Sequence, residues 1–174
     1  MLTKADLIEP TLLEGWLRDM ALTPIRRPSD GLNNWNLEFT IQGASPLVLN
    51  AVNPKALPRA VMLVCGMMAV QEHVTAFAKL TAEQRKDFWQ DLRASLNREF
   101  VEFQIEGVFG VECPKALRVT AIRFDDGMTL DSFARTISSV CKACGDAVAH
   151  FTERLGDGTI PARVEPVVQK QAMQ

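Results

Sequence analysis

The sequence predicts an α+β domain on a mainly antiparallel sheet of five strands, in the order α-β-β-β-α-β-β-α, closed by a long C-terminal helix. Three observations predict it. Trp35, Leu37, Phe39 and Ile41 alternate with polar residues, and a turn and a second apolar run follow, the pattern of a hairpin with one wet face. Leu130, Phe133, Ile137, Val140, Cys144, Val148, Phe151 and Leu155 step by three or four, the apolar stripe of one helix over 130–155. No strand–helix–strand alternation and no internal repeat runs along the chain, which sets aside parallel α/β and repeat architectures.

Each element follows from local chemistry. Thr3 and Asp6 resemble a helix start, and Ile8, Leu12, Leu13, Trp16, Leu17 and Met20 share one face of a helix over 3–20. Pro10 lacks an amide hydrogen, so this helix either kinks there or begins at Pro10. Residues 23–34 are rich in Pro, Gly, Asn, Asp and Ser and read as a loop. The hairpin takes 35–41 and 47–52, with Gln42 to Pro46 as its turn. After a break at 53–58, Ala60 to Ala69 is a third strand, apolar on both faces, as in a strand covered on each side. A short connection leads to Thr81-Ala82-Glu83-Gln84, a capping box that opens a helix with the stripe Phe88, Leu92, Leu96 and with Trp89 beside it. Val101-Phe103-Ile105 and Leu117-Val119-Ala121 alternate as strands four and five, around a turn containing Gly107, Gly110 and Pro114. Asp125-Asp126-Gly127 ends the fifth strand, and Gly156 suits the position after the last helix. The domain therefore spans 1–156, and 157–174 reads as a tail or extended arm.

At 174 residues the chain is long enough for one domain with a full core. Its 19 Lys and Arg against 21 Asp and Glu leave a net charge of −2, with no basic excess to meet a phosphate backbone, so no nucleic-acid partner is expected. Asp6 and Glu9 interrupt any secretory core, and the longest apolar run, Ala60 to Val70, falls short of the ~20 residues a membrane helix needs. The expectation is a cytoplasmic protein with reduced thiols. Cys65 and Cys113 stand alone, and no disulfide framework is visible.

The sharpest local motif is Cys141-Lys142-Ala143-Cys144. A redox CxxC works at a helix N-terminus, where the first thiolate is stabilised; this one falls inside a long helix, with Cys144 on its apolar stripe. A structural zinc needs four ligands, and the chain offers no second CxxC and only His73 and His150. Core packing is the favoured reading, with a thiol-redox or metal-binding protein using Cys141 and Cys144 as the alternative. His73 is expected at an exposed junction after the third strand and His150 beside the core face of the last helix. Neither neighbours a Ser or Cys in a nucleophile setting. Asp125-Asp126 is ordinary turn chemistry. Gly107-Val108-Phe109-Gly110 lacks the Lys-Ser/Thr of a phosphate loop. No catalytic residue, metal or cofactor is expected. Met62, Met67 and Met68 on the third strand suit an adaptable binding surface, though core filling is the simpler reading.

The element order, Trp35-x-Leu37-x-Phe39-x-Ile41 with its returning strand, Phe88-x3-Leu92-x3-Leu96 before the second strand pair, and the long last helix resemble the type III secretion chaperone-like fold. That group includes the Tir-chaperone type and YbjN-like families, and the resemblance covers residues 3–155. It implies a small, mildly acidic, non-enzymatic protein that often dimerises and can bind an extended peptide.

The expected function is thus a protein- or peptide-binding module, with a structural subunit of a larger assembly as a further reading. A homodimer follows from coverage. Three helices cover one sheet face, while strand 60–69 and residues 101–109 carry apolar side chains for two. The expected partner surface comprises Met62, Leu63, Val64, Met67, Phe103 and Ile105.

Overall fold

The computed structural model describes residues 8–29, 31–43, 45–99 and 101–156. The arm expected over 157–174 and the start of the first helix expected at residue 3 lie outside the described residues. The elements run α1 (Pro10–Asp19), β1 (Ile25–Arg27), β2 (Asn33–Ile41), β3 (Leu47–Pro54), β4 (Ala60–Met68), α2 (Gln71–Ala78), α3 (Ala82–Leu96), β5 (Glu102–Glu106), β6 (Ala116–Phe124) and α4 (Leu130–Leu155). The sheet has six strands, not five, in the order β1-β2-β3-β4-β6-β5, and every neighbouring pair is antiparallel. The fold class stands as α+β with a long last helix, but two short elements, β1 and α2, change the element order.

Both additions have physical causes. β1 lies in the stretch expected to be a loop, where Pro24 and Pro28 bracket three residues that pair with the outer edge of β2. From there Arg26 is ion-paired to Glu14 of α1. α2 fills the connection after β4, burying His73 and Phe77 one helical turn apart. Of the two readings for Pro10, the second holds: it is the first helical residue, where its missing N–H is harmless.

α1 ends in a Schellman motif, with Leu22 N–H bonded to the Leu17 carbonyl at 2.8 Å and Ala21 N–H to the Arg18 carbonyl at 2.9 Å. Thr81–Gln84 and Thr129–Ser132 form reciprocal capping boxes at the starts of α3 and α4. α4 lies over β4 and β6, α2 and α3 pack on α4, and α1 reaches β2. One core cluster joins these helices to a single face of the sheet. Its aromatic centre is Phe88, edge-on to Phe77 at 5.5 Å and to Phe151 at 5.2 Å. The β5–β6 loop closes against α3. Trp89 Nε1 donates to the Glu112 carbonyl at 2.8 Å, and a side chain at Gly107 would meet the Cys113 carbonyl oxygen at 3.2 Å and the Trp89 ring at 3.3 Å.

Candidate functional site

Strand register assigns each sheet residue to one of two faces, because residues opposite one another across a ladder share a face. Leu63 pairs with Ala51 and Ala121, Cys65 with Leu49 and Val119, and Met67 with Leu117. All of these point into the helix layer and belong to the core cluster. Phe103 and Ile105 pair with Val119 and Leu117, so they share that face, half-buried at its margin. Met62 pairs with Val52 and Ile122, and Val64 with Asn50 and Thr120, out of phase with the core set.

The six residues expected to form one partner surface are therefore divided. Leu63, Met67, Phe103 and Ile105 face the helices, and Leu63 and Met67 are buried there. Only Met62 and Val64 look out from the opposite face. They join Val48, Met68, Ile122 and Phe124 in an apolar strip across β3, β4 and β6, none of which belongs to the core cluster. Met68 and Phe124 are 47% and 51% exposed. Sequence reasoning passed over Ile122 and Phe124, although they are apolar at the alternate positions to Leu117, Val119 and Ala121 along one strand.

The strip is flanked by polar groups. On the β1–β2 side Arg27 Nη2 donates to Glu38 at 2.6 Å, and the β5 side presents Glu102, Gln104 and Glu106. At one end Arg59 donates from Nε and Nη2 to both oxygens of Asp125 at 2.8 and 2.9 Å, which holds that carboxyl below the ordinary range. Asn50, Thr120 and Arg118 share this face beside Val64 and Gly66, so the strip is apolar but crossed by polar side chains, and protein-binding surfaces are mixed in the same way. Asp125-Asp126-Gly127 itself is a single 3-10 turn after β6.

The histidines lie apart. His73 is not at an exposed junction. α2 carries it inward to 0% exposure, 5.4 Å from the Phe151 ring, with no hydrogen-bond partner at either ring nitrogen. His150 lies on α4 beside the core, as expected, and its Nε2–H donates to the Phe88 carbonyl at 3.0 Å. Burial there lowers its pKa below 6.5, against the smaller raising effect of that carbonyl.

The cysteines are arranged differently from the spacing of the motif. Cys141 and Cys144 lie within α4, far from its N-terminus, and the thiol that meets Cys144 is Cys65 of β4. The interaction between these two buried thiols moves their pKa values apart, that of Cys65 down and that of Cys144 up, and burial adds to the rise at Cys144. Burial pushes the thiols of Cys141 and Cys113 up to about 11. Among the described residues no group of three His, Cys, Asp or Glu side chains is placed to hold a metal ion. Nor is any described helix long and apolar enough to cross a membrane. A groove of about 310 Å³ runs along the outer side of α2, lined by Gln71, Glu72, Thr75, Ala76 and Lys79.

Comparison with known proteins extends the fold more than the role. No curated protein matches the chain significantly. An uncharacterized protein from Methanothermobacter thermautotrophicus superimposes with a TM-score of 0.76 at 21% identity, over 86% of this chain and 100% of its own. E. coli YbjN, described as a candidate transcription regulator, superimposes with a TM-score of 0.53 at 13% identity, over 85% of this chain and 94% of its own. At such identities the likeness is one of fold. The YbjN-like part of the expected resemblance is met at that level, and neither structure bears on the secretion-chaperone part. Residues 11–151 match the profile of the family described as Uncharacterized conserved protein (DUF2299), and the chain belongs to that family.

Proposed function

We propose that this chain is a non-enzymatic protein-binding module whose working surface is the sheet face that carries no helix among the described residues, and that a second copy of the chain occupies that face. One observation carries the reading: the core cluster draws on a single sheet face, and the apolar strip from Val48 to Phe124 lies outside it. Size favours a like partner. Six strands about 4.8 Å apart, rising about 3.4 Å per residue over eight or nine residues in the long strands, present roughly 700 Å². A stable interface takes about 800 Å² from each partner. A two-fold axis would bury both copies of the strip at once, and two-fold dimers are the commonest oligomers.

Light scattering at tens of micromolar should give about twice the 19.3 kDa chain mass. Val64→Lys and Met62→Lys should yield folded monomers, with unchanged far-ultraviolet circular dichroism and a cooperative melt. A monomeric wild type, or a dimer untouched by both substitutions, overturns the reading. The first outcome would assign the face to a different protein partner, including the extended peptide that the resemblance implies.

A further inference from the structure

We infer that the β5–β6 loop and the stripe of α3 against which it closes form a second docking surface, one that takes a protein segment carrying an acidic side chain beside an apolar one. It stands apart from the sheet face proposed above and does not rest on it. Between Glu106 and Glu112 the loop reads Gly107-Val108-Phe109-Gly110-Val111, without one polar side chain, where a connecting loop is ordinarily polar. Val108, Phe109 and Val111 are 53%, 39% and 61% exposed, so the loop holds apolar surface out to solvent. It is also fixed in shape. Gly107 and Gly110 have positive φ, 136 and 68, which other residues rarely adopt. The Val111 and Glu112 N–H groups both donate to the Val108 carbonyl, at 3.0 and 2.9 Å. The Phe109 ring lies 5.7 Å from that of Trp89, whose indole N–H holds the Glu112 carbonyl. A surface ordered before its partner arrives loses less entropy on binding.

Charge names the partner. Lys86, Trp89, Gln90 and Arg93 share one stripe of α3, at i, i+3, i+4 and i+7, and none of them is acidic. The Arg93 guanidinium lies 5.1 Å from the centre of the Phe109 ring and 6.0 Å from that of Trp89. The stem of Lys86 runs against Gly110, where an added β-carbon would meet its Cγ at 2.9 Å. Among the described residues neither Arg93 nor Lys86 is ion-paired. Of the neighbouring acids, Glu112 is taken by Lys115 at 3.3 Å and Asp91 by Arg154 at 3.5 Å. A guanidinium held by two rings, with its N–H donors unclaimed, is preorganised for a carboxylate. Val108 and Val111 on the same loop supply the apolar contact. An aromatic ring and an arginine set among such neighbours are the usual makings of an interface hot spot.

The test selects random heptapeptides displayed on phage against the full chain, then measures an enriched peptide by fluorescence anisotropy. The enriched sequences should share an Asp or Glu next to an apolar residue. The peptide should bind about tenfold more weakly to Arg93→Gln and to Val111→Ser, losses of hot-spot size. Added salt should weaken its binding to the wild type more than to Arg93→Gln. Arg93 and Val111 are exposed, so both variants should keep the wild-type circular dichroism and melt. Val64→Lys, on the sheet face, should bind the peptide as the wild type does. Enrichment without an acidic residue, no enrichment at all, an affinity unchanged in Arg93→Gln, or a loss in Val64→Lys alone would each overturn the inference. So would sedimentation of the chain with phosphatidylserine vesicles that Val111→Ser abolishes, which would give the loop to a lipid surface.

Discussion

Ala21 holds the left-handed backbone that ends α1, at φ 58, a conformation in which its β-carbon crowds the following carbonyl. Glycine carries no such penalty and is the usual residue at this place in a Schellman motif. Ala21→Gly should therefore raise stability by about 0.5–1 kcal/mol in urea titration, unlike most glycine substitutions. His150 sets a second residue-scale expectation. Its folded pKa lies below the ordinary 6.5, so its contribution is complete above about pH 6.5 and is lost as pH falls through the folded value. The Glu14 and Asp125 carboxyls, lowered by Arg26 and Arg59, act in the same sense further into acid. His150→Gln, which keeps a donor for the Phe88 carbonyl, should flatten the stability curve as pH falls below about 6.5 and leave the deeper acid limb in place. An unchanged slope in that window would assign the loss to other groups. The alkaline limb has the opposite sign. Cys113 and Cys141 titrate at about 11, so the unfolded state is favoured as pH rises above the ordinary 9.0.

Among the elements, legibility followed length and chemistry. The last helix was readable along its length, because a stripe of eight apolar residues fixes phase and Gly156 marks its end; the capping box at Thr129 was found only in the structure. The second strand was readable from alternation, and the third as the apolar run returning from its turn. β1 was not, since three residues carry no period, and it exists because β2 offers an edge and α1 offers Glu14. α2 was hidden for a related reason: its two buried residues make a single i, i+4 pair. The place of β6 between β4 and β5 was equally invisible, because pairing between distant strands leaves no local pattern. The polar alternation of β5, with Glu102, Gln104 and Glu106, is the one hint that it lies at an edge. Thr129→Ala removes the capping box of α4 and should cost about 1 kcal/mol, read as a lower denaturant midpoint at unchanged slope.

At the scale of the whole molecule, the candidate face was half legible. A strand apolar on both sides announces that each side needs a cover, but nothing in the period-two pattern says which side the helices take. That choice depends on how α4 docks, and so Leu63 and Val64, adjacent in sequence, were grouped together although they point in opposite directions. The distinction is measurable. Leu63→Lys places a charge in the core beside Ala51 and Ala121 and should abolish cooperative folding. Val64→Lys places the same charge on the outer face and should change association while the domain stays folded.

The position of β4 also has a consequence for the order of events during folding. Its pairing with β3 closes over the short stretch between Pro54 and Ala60, whereas its pairing with β6 joins Ala60 to Phe124 and encloses α2, α3 and β5 within the loop. Closing the longer loop carries the larger entropic cost before any contact compensates it. The β2–β3–β4 meander should thus form in the rate-limiting step, and the β4–β6 seam should zip up after it. Stopped-flow chevrons can separate the two. Leu49→Ala, in the meander, should mainly slow folding, and Val119→Ala, on the seam, should mainly speed unfolding. Equal slowing of folding by both would mean that the seam is already closed at the barrier.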